Sequence, residues 1–113
     1  KGVEVYEIEG PFFFGIANRF EEIVLATKAR PKVRILRMRQ VPFMDSTAMR
    51  NLRILIETSQ GEGIQLVLSG VRSSVHETLR ATGIADLIGD TYICPNIHEA
   101  LTTASQYIAQ ISE

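Results

Sequence analysis

The chain has 113 residues, 45% of them hydrophobic and 22% charged, with a formal net charge of −1. That is one domain's length of chain with a globular balance of residue types, well away from the disordered and fibrous classes. So small a net charge gives no overall attraction to nucleic acid or to an anionic membrane, and no nucleic-acid partner is expected.

Two short apolar runs open the chain, residues 3–9 (VEVYEIE) and 12–17 (FFFGIA), and both read as strands joined at Gly10-Pro11. A first helix is predicted from Asn18, with Phe20, Ile23, Val24 and Thr27 on one face. Lys28, Arg30, Lys32, Arg34, Arg37 and Arg39 follow with no acid among them, a basic strip read as solvated charge, with contact to an anion or an acidic partner as the alternative. A third strand covers residues 33–39. The second helix starts at Asp45 or Ser46, carries Ala48, Met49, Leu52, Leu55 and Ile56 at helical spacing, and stops before Gly61 and Gly63. Residues 64–69 (IQLVLS) form the strand expected to be buried on both faces, since their apolar positions do not alternate cleanly. A third helix, marked by Val75 and Leu79, ends at Gly83, where Ile84 makes the apolar contact that accompanies a glycine cap. Residues 91–94 form a last strand. The fourth helix, from Asn96, has a stripe of Ile97, Ala100, Leu101, Ala104, Tyr107, Ile108 and Ile111. The order ββαβαβαβα predicts a single α/β domain over residues 1–113, with a mostly parallel central sheet flanked by helices.

The starts of the helices differ in a telling way. Free N–H groups in a first turn need an acceptor, and a polar cap with Glu three residues on supplies one. Asn18 with Glu21, Ser74 with Glu77 and Asn96 with Glu99 fit that device. The second helix opens Met44-Asp45-Ser46-Thr47-Ala48, with no glutamate at the matching position. Two hydroxyls therefore stand in a first turn just beyond Pro42, at the carboxyl end of a central strand, where open α/β sheets place binding sites. A phosphate there would face the positive end of the helix dipole. The plainer reading is a cap at Asp45 or Ser46 with Thr47 as an ordinary first-turn residue, and the two readings are compatible.

Chemistry for an enzyme does not assemble. His76 falls inside the third helix and His98 in the first turn of the fourth, neither spaced to a nucleophile or a second metal ligand. Gly61 and Gly63 precede a strand rather than a helix, so they mark a turn and not a dinucleotide site. No catalytic residue, metal or cofactor is expected. Cys94 is the lone cysteine, which rules out an internal disulfide, suits a reducing compartment and reads as a small buried residue. The chain starts at Lys1 within a predicted strand and shows no leader, so it is expected to be cut from something longer. Its longest uncharged stretch, residues 100–112, is short of the about 20 apolar residues that span a bilayer, and the fragment is expected to be soluble.

Met44-Asp45-Ser46-Thr47-Ala48-Met49, after a strand and opening a helix, resembles the Asp-Ser-Ser/Thr-Gly signature of the STAS fold. That fold is shared by anti-anti-sigma factors and by the cytosolic tails of sulfate-permease (SulP) transporters. Two segments look like the transporter branch: residues 5–15 (VYEIEGPFFFG), and residues 36–45 (LRMRQVPFMD). The resemblance implies a non-catalytic regulatory and interaction domain at the cytoplasmic face of the plasma membrane, part of an inorganic anion transporter. It implies as partners the transporter's own membrane domain in cis, an unidentified cytosolic protein, and a homodimer formed through the full-length transporter. In the regulators the second hydroxyl of the motif is phosphorylated by a partner kinase. That position is Thr47, with Ser46 before it and Asp45 as the leading acid; Ala48 stands where the family has glycine. Pro42, Phe43, Met44, Ala48 and Met49 are the expected partner contacts beside this loop. The alternative is a free-standing anti-sigma factor antagonist controlled at Thr47.

Overall fold

The computed structural model describes residues 2–9 and 31–111. The expected strand at residues 12–17, the helix from Asn18 with its Glu21 partner, and Lys28 and Arg30 lie outside the described residues. Four strands, β1 (Val3–Glu9), β2 (Val33–Gln40), β3 (Gln65–Ser69) and β4 (Ile93–Cys94), form one sheet in the order β1-β2-β3-β4. Every pairing is parallel, with Val5 beside Ile35, Ile35 beside Val67 and Leu68 beside Ile93. Parallel neighbours need crossover connections, and the described ones are helical. α1 (Ser46–Gly61) joins β2 to β3, while α2 (Ser73–Ala81) and α3 (Ile84–Ile88) precede β4. α4 (Ile97–Ile111) closes the chain.

Alternation along the strands divides the core in two. Leu36 and Met38 of β2 and Leu66 and Leu68 of β3 join Leu52, Leu55 and Ile56 of α1, Val75 and Leu79 of α2, and Ile84 and Ile88 of α3. On the other face Val33, Ile35, Val67 and Cys94 meet Ala100 and Ala104 of α4. The sheet is thus covered on both sides, and β2 and β3 must be apolar on both, as their sequences VRILRMRQ and QLVLS are. Each fully buried leucine here stabilises the fold by about 1.5–3 kcal/mol relative to an exposed one.

Three expectations need correction. The predicted Ser74–Glu77 cap does not form: α2 starts at Ser73, two residues before a cap at Ser74 would start it, and Arg72 occupies the cap position without a side-chain hydrogen bond. Ile84 does more than contact a cap. Gly83, at φ +84, reverses the chain at the end of α2, and the buried Ile84 then opens the short helix α3. The last strand shrinks to two residues because Asp90–Tyr92 winds into a 3-10 turn after Gly89. By contrast, Asn96 accepts from the Glu99 amide at 2.9 Å, as its spacing predicts.

Candidate functional site

β2 ends at a tight turn, in which the Val41 amide donates to the Met38 carbonyl at 3.0 Å. Val41 is fully buried, so the chain is anchored before it leaves the sheet. Pro42 and Phe43 then stand out into solvent, Phe43 with 56% of its surface exposed. Met44 turns back inward, and Asp45 caps α1, its Oδ1 accepting from the Ala48 amide at 2.8 Å. The choice between Asp45 and Ser46 as cap is settled by that bond. Met44 immediately precedes the cap and Met49 occupies the fourth helical position, and both sit in the core cluster. Apolar residues at those two places form a hydrophobic staple, which fixes the angle at which a chain enters its helix.

Asp45, Ser46 and Thr47 are all exposed, and they are gathered at the amide end of α1, at the carboxyl edge of the sheet. Pro42 and Phe43 share that edge. Met44, Ala48 and Met49 do not join them, being 9%, 1% and 8% exposed. Their expected role as partner contacts is corrected: they lie in the core beneath the loop and present little surface. The apolar periodicity of α1 already placed Ala48 and Met49 on the core face, and nearness in sequence to the motif does not change that direction.

Charge around the loop is arranged by the neighbouring strands. Arg72, at the start of α2, reaches across to the Arg39 carbonyl with Nη2 at 3.2 Å and Nε at 3.4 Å. Gly70, at φ +68, permits this closeness, since a Cβ there would lie 3.1 Å from that of Arg39. Among the described residues of the expected basic strip, Arg34 is set apart from Arg37 and Arg39. Arg34 is 2% exposed and pairs with Glu4 at 3.7 Å, whereas Arg37 and Arg39 sit beside Glu7 at 4.0 and 3.3 Å. Residues of opposite parity on a strand point to opposite faces, which separates Arg34 from the other two. Sequence reasoning missed Arg72; the glycine directly after β3 was the signal that a turn there brings the next helix against the end of β2.

The remaining reactive side chains are elsewhere. His76 Nε2 lies 3.2 Å from Asp90 Oδ1, and Arg80 Nε lies 3.5 Å from the same oxygen, a surface link between α2 and the 3-10 turn. The histidine and the guanidinium hold the Asp90 carboxyl below its ordinary value. Cys94 is buried against Thr103, and burial pushes its thiol up. Among the described residues no helix is long and apolar enough to cross a membrane.

A parallel four-stranded sheet with this loop–helix junction at its carboxyl edge is the architecture of STAS domains, and residues 1–100 match that family. The chain belongs to the STAS domain family. It is 39% identical to a crystal structure of a sulfate transporter family protein from Wolinella succinogenes, with a TM-score of 0.83 over 96% of this chain and 88% of that one. It is 35% identical to the SulP transporter STAS domain from Vibrio cholerae, with a TM-score of 0.86 over 97% of this chain and 86% of that one. It is also 30% identical to "Probable sulfate transporter 4.2" of Arabidopsis thaliana over 95% of this chain. The chain spans only 18% of that plant protein's length.

Proposed function

We propose that the chain is a non-catalytic regulatory domain of a SulP-type inorganic anion transporter, lying at the cytoplasmic face of the membrane. The observation that carries this reading is the 35% identity, at near-complete coverage of both chains, to a STAS domain that is itself from a SulP transporter. The domain acts through protein contacts made by Pro42, Phe43, Asp45, Ser46 and Thr47 and by the outer face of α1. Its partners are the transporter's own membrane domain, a cytosolic protein, and a second transporter brought near by the membrane part. Exposure of the loop supports contact there, since Phe43 is a large apolar side chain left in water.

A second reading concerns control. Thr47 is the second residue of α1, exposed, with no carboxylate inside the first turn. Phosphate placed on it faces the positive end of the helix dipole, so modification changes the surface without unfolding the helix.

The test uses the full-length protein that contains this chain, reconstituted in vesicles and assayed with labelled sulfate. Thr47→Glu and Phe43→Ala should alter the rate of uptake at an unchanged amount of transporter in the membrane. Uptake identical to the parent for both variants refutes the regulatory reading. A reading frame that begins a few residues before Lys1 would end the transporter assignment and favour the free-standing regulator.

A further inference from the structure

We propose that Arg72 is the positioning residue of the loop at residues 42–47, an inference that rests on the regulatory reading of that loop. The direction in which Phe43 stands depends on how β2 leaves the sheet, and strand pairing does not set that exit. β2 pairs with β3 no further than Arg37, which stands beside Ser69. On its other side β2 has one residue more than β1 between the pairs Glu7–Arg37 and Glu9–Gln40, a register shift that breaks the ladder at Met38 and Arg39. The Arg39 carbonyl thus lies past the last β3 pair and within the irregular stretch, and its donor comes from outside the sheet.

Arg72 supplies that donor twice, with Nη2 at 3.2 Å and Nε at 3.4 Å from the one oxygen. A planar guanidinium fork holds a carbonyl at a set angle, which a single flexible ammonium does not. The donor is itself fixed. Arg72 occupies the cap position of α2, and its own carbonyl accepts from the His76 amide at 2.8 Å. Two residues earlier the Gly70 amide donates to the Cys94 carbonyl at 3.0 Å, which ties the same turn to β4. The Arg39 and Gln40 side chains donate to Glu7 at 3.3 and 3.4 Å, steadying their tips without bonding the main chain. Among the described residues, no other side chain from outside β2 and α1 bonds the main chain between Arg39 and Asp45. Two residues on from Arg39 the buried Val41 releases the chain to Pro42 and Phe43. The pose of Phe43 therefore depends on where α2 stands, although no residue of α2 belongs to the loop.

The experiment uses the full-length protein that contains this chain, with hydrogen exchange followed by mass spectrometry and with vesicle uptake of labelled sulfate. Arg72→Ala should speed exchange at residues 41–44 by about fivefold, the change that loss of one hydrogen bond makes in a local opening, while α4 exchanges as in the parent. Arg72→Lys, which keeps a cationic donor but not the fork, should fall between the two. Arg72→Ala should change uptake in the same direction as Phe43→Ala. The double variant should match Phe43→Ala alone, because both changes act through the loop. Parent-like exchange in Arg72→Ala, exchange raised equally across the domain, or effects on uptake that add in the double variant overturn the proposal. Faster loop exchange with uptake unchanged in every loop variant removes the regulatory reading and keeps the hold of Arg72 on the loop. Parent-like exchange with uptake still altered by Phe43→Ala does the reverse.

Discussion

Replacing Asp45 by alanine isolates the contribution of a single oxygen to the loop. In the parent, Asp45 Oδ1 accepts from the Ala48 amide at 2.8 Å, and no acidic residue inside the first turn of α1 can substitute for it. Alanine leaves that amide to water, which at an exposed helix end costs about 1 kcal/mol. For a chain of 113 residues such a loss lowers the midpoint of thermal unfolding by about 4 °C and the urea midpoint by about 0.5 M. Asp45→Asn keeps an acceptor in place and gives up only the attraction of a full charge to the helix dipole, about 0.3–1 kcal/mol. Its loss should therefore fall between those of the parent and the alanine variant. Urea unfolding followed by circular dichroism, with a constant slope across the three proteins, supplies the comparison. An alanine variant as stable as the parent, or an asparagine variant as weak as alanine, would refute the capping argument. In either variant, any effect on uptake is to be judged against the measured loss of stability.

Four further outcomes follow from the structure. Gly70→Ala should destabilise by about 1–3 kcal/mol, because its positive φ strains a side chain and the new methyl meets Arg39 at 3.1 Å. Gly61→Ala, in open space at the end of α1, should be neutral or slightly stabilising in the same urea assay. The carboxyl of Asp90 titrates lower in the folded state than in the unfolded chain, so its contribution is present above its ordinary value of 3.8 and is lost as pH falls below it. Asp90→Asn should accordingly flatten the fall in stability on acidification below that value, read as urea midpoint against pH. The Cys94 thiol, buried and shifted upward, should react with a thiol reagent at neutral pH far more slowly in the folded protein than in urea. Equal rates would place it at the surface.

How far the sequence disclosed this structure depended on how strongly each segment was patterned. β2 and α1 were legible because their apolar residues recur at strand and helix spacing over eight and sixteen residues. α3 was not, since five residues (IADLI) give no period to detect and Gly83 looked like an end rather than a joint. The cap at Ser74 failed by two residues, a shift that changes which side chain faces the free amides. At the site, exposure of the hydroxyl-bearing bend agreed with its motif, but the inward turn of Met44 depends on the tertiary core that receives it, since its spacing to Met49 marks a staple only once Asp45 is known to be the cap. The same holds for Arg34: its neighbours Arg37 and Arg39 are on the opposite face, and only the pairing of β1 with β2 brings Glu4 beside it.

The stapling of Met44 and Met49 beneath the loop bears on how tightly anything can be held above it. A bend that wandered in solution would surrender its freedom at every encounter, and weak contacts would be spent on stilling it. Here the two thioether side chains do that work once, as the domain folds, leaving Phe43 already held outward when a visitor arrives. Small surfaces on so steady a mount can act as specific and readily reversible grips.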